Sequence, residues 1–535
     1  MDNNFIELYG EYLRDESRQI GTAESILFPK NEEEIVASVK ECARKNITIT
    51  SQGARTGLAA SAVPSGGHII NLSKMNNVTG ARYDQEQDRF FLTVQPGALL
   101  AEIRKYLLNK SFITTNWNKE SLDALNHMDK NEWFYSTDPT ETSASIGGMV
   151  ACNASGAKSF RYGSTRDHVQ SIRVVMADGD ILSIKRGQSY AENGEFFLTA
   201  ESGKIISGDL PNYKMPDVKK NTSGYYNKPS MDMLDLFIGS DGTLGIITEV
   251  EIELNKTQKS NWGVTIFMPD EDKALDLVRA LRGEKLFDDT EPLRVKPSAI
   301  EFFSHKVLEM LRHQQKTNPA FSSVQEIKES YHTAVFIEIE GDSDDEIWVR
   351  IKELGNVIVK LGGDEDATWV ANNPSALEKL HSFRHACPEC VNMQIDEVKK
   401  LDSKITKLGT DMSVPDDNLK EVMKIYNDDI EKNNLHAVIF GHIGNNHLHV
   451  NIIPRNRDEY NKGKELFLIW AKKISDMGGA VSAEHGVGKL KVPFLQKMYS
   501  DDELNEMRNL KKIFDPEQLF NRGTIFPYVS KEGAQ

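Results

Sequence analysis

TDPTETSASIGGMVACNASGAKSFRYGSTRDHV, residues 137–169, carries Gly147, Gly148, Ala151, Ala154, Ser155 and Gly156 within ten residues. With so little side chain, the backbone can approach a ligand closely, and its amides are left to hold phosphate oxygens. SQGARTGLAASAVPSGG, residues 51–67, has the same character. Two readings stay open for each stretch: a cradle for a phosphorylated ligand, or tight turns in a large α+β domain. No GxGxxG follows a first strand and no GxxxxGK[ST] occurs. A Rossmann NAD site and a P-loop are therefore disfavoured.

Around these stretches the first half reads as α+β. Residues 24–50 are strand–helix–strand, with Asn31 as N-cap and Ile35, Val39 and Ala43 at helical spacing. HIINLS is a strand, FFLTVQPGALLAEIRKYLL a strand, turn and helix, and RVVMADGDILSIK a hairpin with an Asp-Gly turn. Residues 116–137 read as an insertion or flexible loop, and 188–232 as loop-rich. From about residue 259 strands alternate with helices, TAVFIEIEG followed by DDEIWVRIKELGNVIVKLG for instance, which predicts a sheet with helices on one side.

The chain has 535 residues, long enough for two or more domains. With 64 Lys+Arg against 80 Asp+Glu, its formal charge of −16 argues against nucleic acid and anionic membrane as main partners. MDNNFIELYGEYLRDESRQ is too polar and acidic for a signal peptide, and no run approaches a transmembrane span. Four cysteines point to a reducing compartment. Cys387-Pro-Glu-Cys390 reads as two buried thiols on a helix, with a redox dithiol as the alternative.

GHIGNNHLHVN, residues 441–451, gathers His442, His447 and His449 from a total of 13 histidines. Its glycines and asparagines exclude a helix, and its β-rich flanks predict a hairpin turning near Gly444-Asn445-Asn446. In the second arm Leu448, Val450 and Ile452 share one face, and His449 and Asn451 the other. In the first arm His442 shares a face with Val438 and Phe440. Metal ligands and ordinary strand histidines are both compatible with this pattern.

Taken together, GARTGL, SASIGGMVACNASGAKSFRYGSTRDHV, IGSDGTLGIITEV, GHIGNNHLHVN, SAEHGVGKLK and IFDPEQLFNRGTIF, in this order, resemble FAD-dependent D-2-hydroxyacid dehydrogenases. These include D-lactate and D-2-hydroxyglutarate dehydrogenases and the glycolate oxidase D subunit, of the vanillyl-alcohol-oxidase type. The resemblance runs from about residue 24 to 527. It implies an α+β chain with a two-part PCMH-type FAD-binding domain at 1–258. A cap domain with an antiparallel sheet covered by helices follows at 259–500, and 501–535 returns to the FAD domain. It assigns Gly53, Arg55, Thr56, Gly57 and Leu58 to the FAD pyrophosphate. Pro139, Thr140, Gly147, Gly148, Asn153, Ser155 and Gly156 form a second flavin-contacting stretch, with Ile247 at the adenine end and Asn521 in the C-terminal motif. The flavin is expected to be non-covalent. Arg522 and Thr524 replace the family's Pro and Lys, so a contact from that Lys does not carry over.

The resemblance also gives the histidines a role. His442, His449 and Glu484 are the implied ligands of a divalent metal: zinc, manganese or iron. His447, where the family commonly has Asn, is read as a turn or supporting residue. His485 is the implied base and Arg384 the substrate-carboxylate arginine. The implied reaction is hydride transfer from a D-2-hydroxy acid to FAD, giving the 2-oxo acid. Gly409 stands where the 2-hydroxyglutarate enzymes carry Lys, which favours D-lactate, although Lys407 is near in sequence. D-2-hydroxyglutarate or glycolate oxidation is the alternative within the family, and an oxidase differs only in its acceptor. A metallohydrolase without flavin is the reading from another class. A related ether-lipid synthase lacks a His-x₆-His metal motif. The implied partners are a small 2-hydroxy acid and a quinone, cytochrome or electron-transferring flavoprotein, with a homodimer left open. The expected location is cytoplasmic, with peripheral membrane attachment left open.

Overall fold

Asn31 accepts a hydrogen bond from the Glu34 amide and starts the helix Glu32–Lys45, whose inward face is Ile35, Val39 and Cys42. Left-handed Asn46 ends it. The flanking strands Ser25–Leu27 and Ile49–Gln52 lie parallel to either side of His68–Asn71. The computed structural model describes residues 3–289, 291–322 and 324–527. Among these, no helix is long and apolar enough to cross a membrane.

Next to the small parallel sheet is a five-stranded antiparallel one. Its order is Val78–Asp84, Arg89–Val94, Ile246–Glu253, Val169–Val175 and Ile181–Lys185. The last two form the expected Asp-Gly hairpin, with Gly179 at φ 75°. Residues 116–137 are not a loose insertion. Asn118 caps the helix Lys119–Asn126, Trp117 Nε1 donates to the Val78 carbonyl at 2.9 Å, and Met128, Trp133 and Tyr135 are buried in the first core. Their apolar side chains are too widely spaced to show a period, yet each finds the core. Residues 188–232 contain a hairpin, Glu195–Thr199 with Ile205–Asp209, and buried Tyr213 and Tyr225.

The second half is built on an eight-stranded antiparallel sheet. In order along it are Trp369–Ala371, Ser260–Met268, Thr333–Gly341, Pro297–Phe303, Ala437–Gly441, His447–Ile452 and Leu408–Gly409, with Met412–Ser413 also paired to His447–Ile452. Helices cover both faces, not one. Val264, Ile266, Val335 and Ile337 pack with helices Glu271–Leu281, Asp344–Lys360, Leu419–Lys432 and Arg457–Asp476. On the opposite pleat Phe267, Phe303, Phe336 and Phe440 pack with His305–Thr317 and Pro374–Leu401. Both parities of these strands are apolar at one end, so both faces need covering. Two residues along the same pleat, Phe303 gives way to Glu301, Phe336 to Glu338 and Phe440 to His442. These three polar side chains are buried. One end of that face is thus a helix-covered core and the other a polar wall. The chain rejoins the first core already at Val487, Val492 and Leu495, ahead of residue 501.

Candidate metal and flavin site

The histidine hairpin forms as its alternation predicts, with Phe440 opposite His449. Leu448, Val450 and Ile452 face the helix-covered core. A 3-10 turn at Ile443–Asn445 and left-handed Asn446 reverse the chain. Gly441 sits at φ 136°, and a Cβ there would lie 2.9 Å from the His449 ring. The glycine therefore lets that ring lie against the first arm.

The two outer histidines are held from behind. His442 Nδ1 donates to Glu301 Oε1 at 2.5 Å, and His449 Nδ1 to the Thr410 carbonyl at 2.8 Å. With Nδ1 carrying the proton, each Nε2 presents a lone pair. Both lone pairs face Glu484 Oε1, at 3.5 and 3.7 Å. His485 Nε2 stands 3.8 Å from the same oxygen. The other oxygen, Oε2, accepts from Ser155 Oγ at 3.0 Å and Lys220 Nζ at 2.9 Å.

His447, expected as a turn or supporting residue, lies inside the site. It is wholly buried, with Nε2 2.8 Å from Asp411 Oδ1 and Nδ1 3.7 Å from Glu484 Oε2. Nε2 is thus paired with the Asp411 carboxylate, whereas Nδ1 is buried without a hydrogen-bond partner. His442, His447, His449 and Glu484 each offer a ligand atom within 4.8 Å of one another. Imidazole nitrogens, an anionic oxygen and an orphaned buried nitrogen make a donor set that fits zinc, manganese or iron.

Arg384, on the helix Pro374–Leu401, has Nε 3.3 Å from Glu301 Oε2. Glu301 thus joins the arginine to His442. Burial alone would raise its pKa, but Arg384 and His442 outweigh that and hold the carboxyl at about 2. Beyond it Lys158 Nζ bridges Glu340 at 2.6 Å and Glu338 at 3.2 Å. Burial pushes Asp138 up to about 6, against the pull of Arg384 and Lys158. Asp138, Ser155, Lys158 and Lys220 come from the first half of the chain and the others from the second. The site is built where the two meet.

The two glycine-rich stretches converge beside it. Ser145 Oγ accepts from the Ala54 amide at 3.2 Å, and a Cβ on Gly53 would lie 2.1 Å from that oxygen. Among the described residues, the amides of Arg55, Thr56, Gly57 and Leu58 find no acceptor within the chain. Arg55 is left-handed at φ 61°, and its guanidinium lies over the Tyr12 ring. A tight turn with unspent amides suits a pyrophosphate.

Two family profiles match the chain. The one described as "FAD binding domain" covers residues 23–119 and 120–185, and "FAD linked oxidases, C-terminal domain" covers 264–525. The chain belongs to the FAD-linked oxidase family. It is a FAD-dependent oxidoreductase, which sets aside the flavin-free metallohydrolase. A D-lactate dehydrogenase of Anaerostipes hadrus is 28% identical, covering 97% of this chain and 93% of its own. Glycolate oxidase subunit GlcD of Bacillus subtilis is 26% identical, covering 94% and 89%. A D-2-hydroxyglutarate dehydrogenase of Stutzerimonas stutzeri is 25% identical, covering 98% and 95%. Among solved structures, p-cresol methylhydroxylase with substrate bound superposes with TM-score 0.63 at 14% identity, over 98% of this chain and 93% of that one. An alkyldihydroxyacetonephosphate synthase superposes at 0.54 and 16%, over 93% and 75%. These two likenesses concern the fold alone.

Several residues that the motifs assign to flavin in this FAD-linked oxidase have visible structural duties. Asn153 ends the helix Ile146–Cys152 at φ 49° and accepts from the Arg166 amide. Gly156 leaves room for the Asp138 carbonyl, which a Cβ would meet at 1.9 Å. Gly147 packs on Pro96, and Gly148 faces Ser145. Asn521 spends its amide on Ser51 N and the Asp241 carbonyl, bracing the 51–58 turn. Ile247 is buried in the central strand opposite Val174, Pro139 is half-buried and Thr140 exposed. Ser155 reaches Glu484, tying the glycine-rich stretch to the histidine–glutamate cluster. Glu301, Asp411 and Lys220 went unassigned in the sequence. The one available signal was a lone acid within an apolar strand, PSAIEFF, which has to face something polar when buried.

Proposed function

We propose that the chain oxidises a D-2-hydroxy acid to the 2-oxo acid, with non-covalent FAD and a divalent ion held by His442, His449 and Glu484. The observation that carries this is the convergence of the His442, His449 and His485 Nε2 atoms on Glu484 Oε1, with Glu301 linking His442 to Arg384. The matching dehydrogenases named for D-lactate and D-2-hydroxyglutarate support the substrate class. Bound, FAD supplies a hydride acceptor and the ion a Lewis acid, and the electrons leave to a quinone, cytochrome or electron-transferring flavoprotein.

The chain's own groups do the rest. Arg384 pairs its planar fork with the substrate carboxylate. His485 takes the hydroxyl proton on Nε2. Glu301 keeps Arg384 and His442 in register. D-lactate is favoured because Gly409 offers no cation to a second carboxylate. Lys407 supports D-2-hydroxyglutarate as the second reading, since its Cε lies 3.9 Å from where a Gly409 Cβ would be. The test is a panel of D- and L-2-hydroxy acids scored by anaerobic bleaching of the flavin. Bleaching by D-isomers alone, D-lactate foremost, is expected. Equal or better kcat/KM with the dicarboxylate overturns the lactate preference, and bleaching only by L-isomers overturns the reading.

A further inference from the structure

Lys220 lies within the loop-rich 188–232 stretch, yet its side chain is only 2% exposed and makes two contacts with buried oxygens. Nζ is 2.9 Å from the Gly156 carbonyl and 2.9 Å from Glu484 Oε2. The segment that carries it is sewn to the segment that carries Glu484. Thr222 N donates to the Ser482 carbonyl at 2.8 Å, and Ser482 N to Ser223 Oγ at 2.9 Å. Ser413 Oγ donates to the Lys220 carbonyl at 2.7 Å. From the other side, Asp411 accepts the Glu484 and His485 amides, both at 3.2 Å.

We infer that Lys220 is the positioning residue of the metal site, delivered by the FAD-binding half. With Ser155 it occupies Glu484 Oε2, so that Oε1 alone is presented to the His442, His449 and His485 nitrogens. The inference rests on the metal reading above and adds to it the group that aims the carboxylate. It also makes the aim of the Glu484 carboxylate depend on the docked FAD-binding half, because both donors to Oε2 come from that half.

Charge and position pull in opposite directions here, which makes the role measurable. A lysine cation beside a ligand carboxylate repels an incoming divalent ion. If Lys220 acted only through its charge, removing it would tighten metal binding. A residue that aims a ligand acts oppositely, and loss of such a partner weakens metal affinity about 10–100-fold.

Zinc alone is titrated, in competition with a chromophoric chelator, into stripped, FAD-loaded full-length protein. Lys220→Met is expected to bind zinc about 10–100-fold more weakly than the parent while keeping its FAD. Lys220→Arg, which retains cation and donors, recovers most of the affinity. Ser155→Ala removes the other donor to Oε2 and shows a smaller loss in the same direction, which decides the matter if Lys220→Met does not fold. Zinc binding by Lys220→Met as tight as in the parent, or tighter, overturns the positioning role while the metal site stands, provided His442→Ala has lost the ion. A parent protein that binds no zinc overturns both.

Discussion

Replacing Glu301 with glutamine removes one charge and almost no volume. Its two oxygens serve different partners, His442 Nδ1 at 2.5 Å and Arg384 Nε at 3.3 Å. Both partners are donors. A glutamine amide has one acceptor and one donor end, so whichever way it turns it must point N–H groups at one of them. Holding the Glu301 carboxyl at about 2 rather than its ordinary 4.5 corresponds to about 3 kcal/mol in favour of the anion. Most of that is lost in the variant, and it is divided between a mis-set arginine and a mis-set histidine. The expected result for Glu301→Gln is kcat/KM for flavin reduction lowered about 10–100-fold, together with weaker zinc binding. FAD stays bound, because the glycine turns lie in the other half of the chain. The assay is anaerobic stopped-flow reduction by D-lactate, with zinc affinity from chelator competition. Parental rate and parental zinc affinity together would refute the linkage of His442 and Arg384 through this carboxylate.

His442→Ala should lose the ion and nearly all turnover yet purify yellow, as metal analysis and the visible spectrum will show. His485→Ala should keep the ion and lose about 10²–10⁴-fold in rate, the usual contribution of a general base. His447→Ala opens a cavity at a wholly buried position, so its melting temperature should fall by several degrees; a parental melting temperature would contradict a packing contribution from this ring. With Asp138 pushed up to about 6 and an unfolded carboxyl near 3.9, the folded chain holds a proton between these pH values that the unfolded chain has released. Stability therefore falls as pH rises through that window, and Asp138→Asn should flatten this part of the curve of melting temperature against pH.

Local chemistry was legible in the sequence and long-range pairing was not. The Asn31 cap, the Asp-Gly hairpin and the two faces of the histidine hairpin follow from neighbours within a few residues, and all form. Cys387 and Cys390 are, as their spacing suggests, buried thiols on one helix. The core residues of 116–137, Trp117, Met128, Trp133 and Tyr135, follow no period, so the sequence shows only a loop there. Strands apolar at both parities give no sign of which face meets a helix, so the second helical layer is not legible in the sequence. Glu301 and Lys220 have partners 141 and 264 positions away, and nothing near either residue announces the partner. For His447 the turn motif offers a turn or a supporting place, and its burial between Asp411 and Glu484 is visible only in the fold.

In the proposed chemistry the ion at His442, His449 and Glu484 takes part in oxidising the substrate. That participation is tested most directly by stripping the yellow enzyme with a chelator and mixing it anaerobically with D-lactate, before and after zinc or manganese is returned. Stripped enzyme is expected to keep its FAD, fail to bleach, and regain bleaching on metal addition, while the His442→Ala variant regains none. Full-rate bleaching by thoroughly stripped enzyme would contradict it.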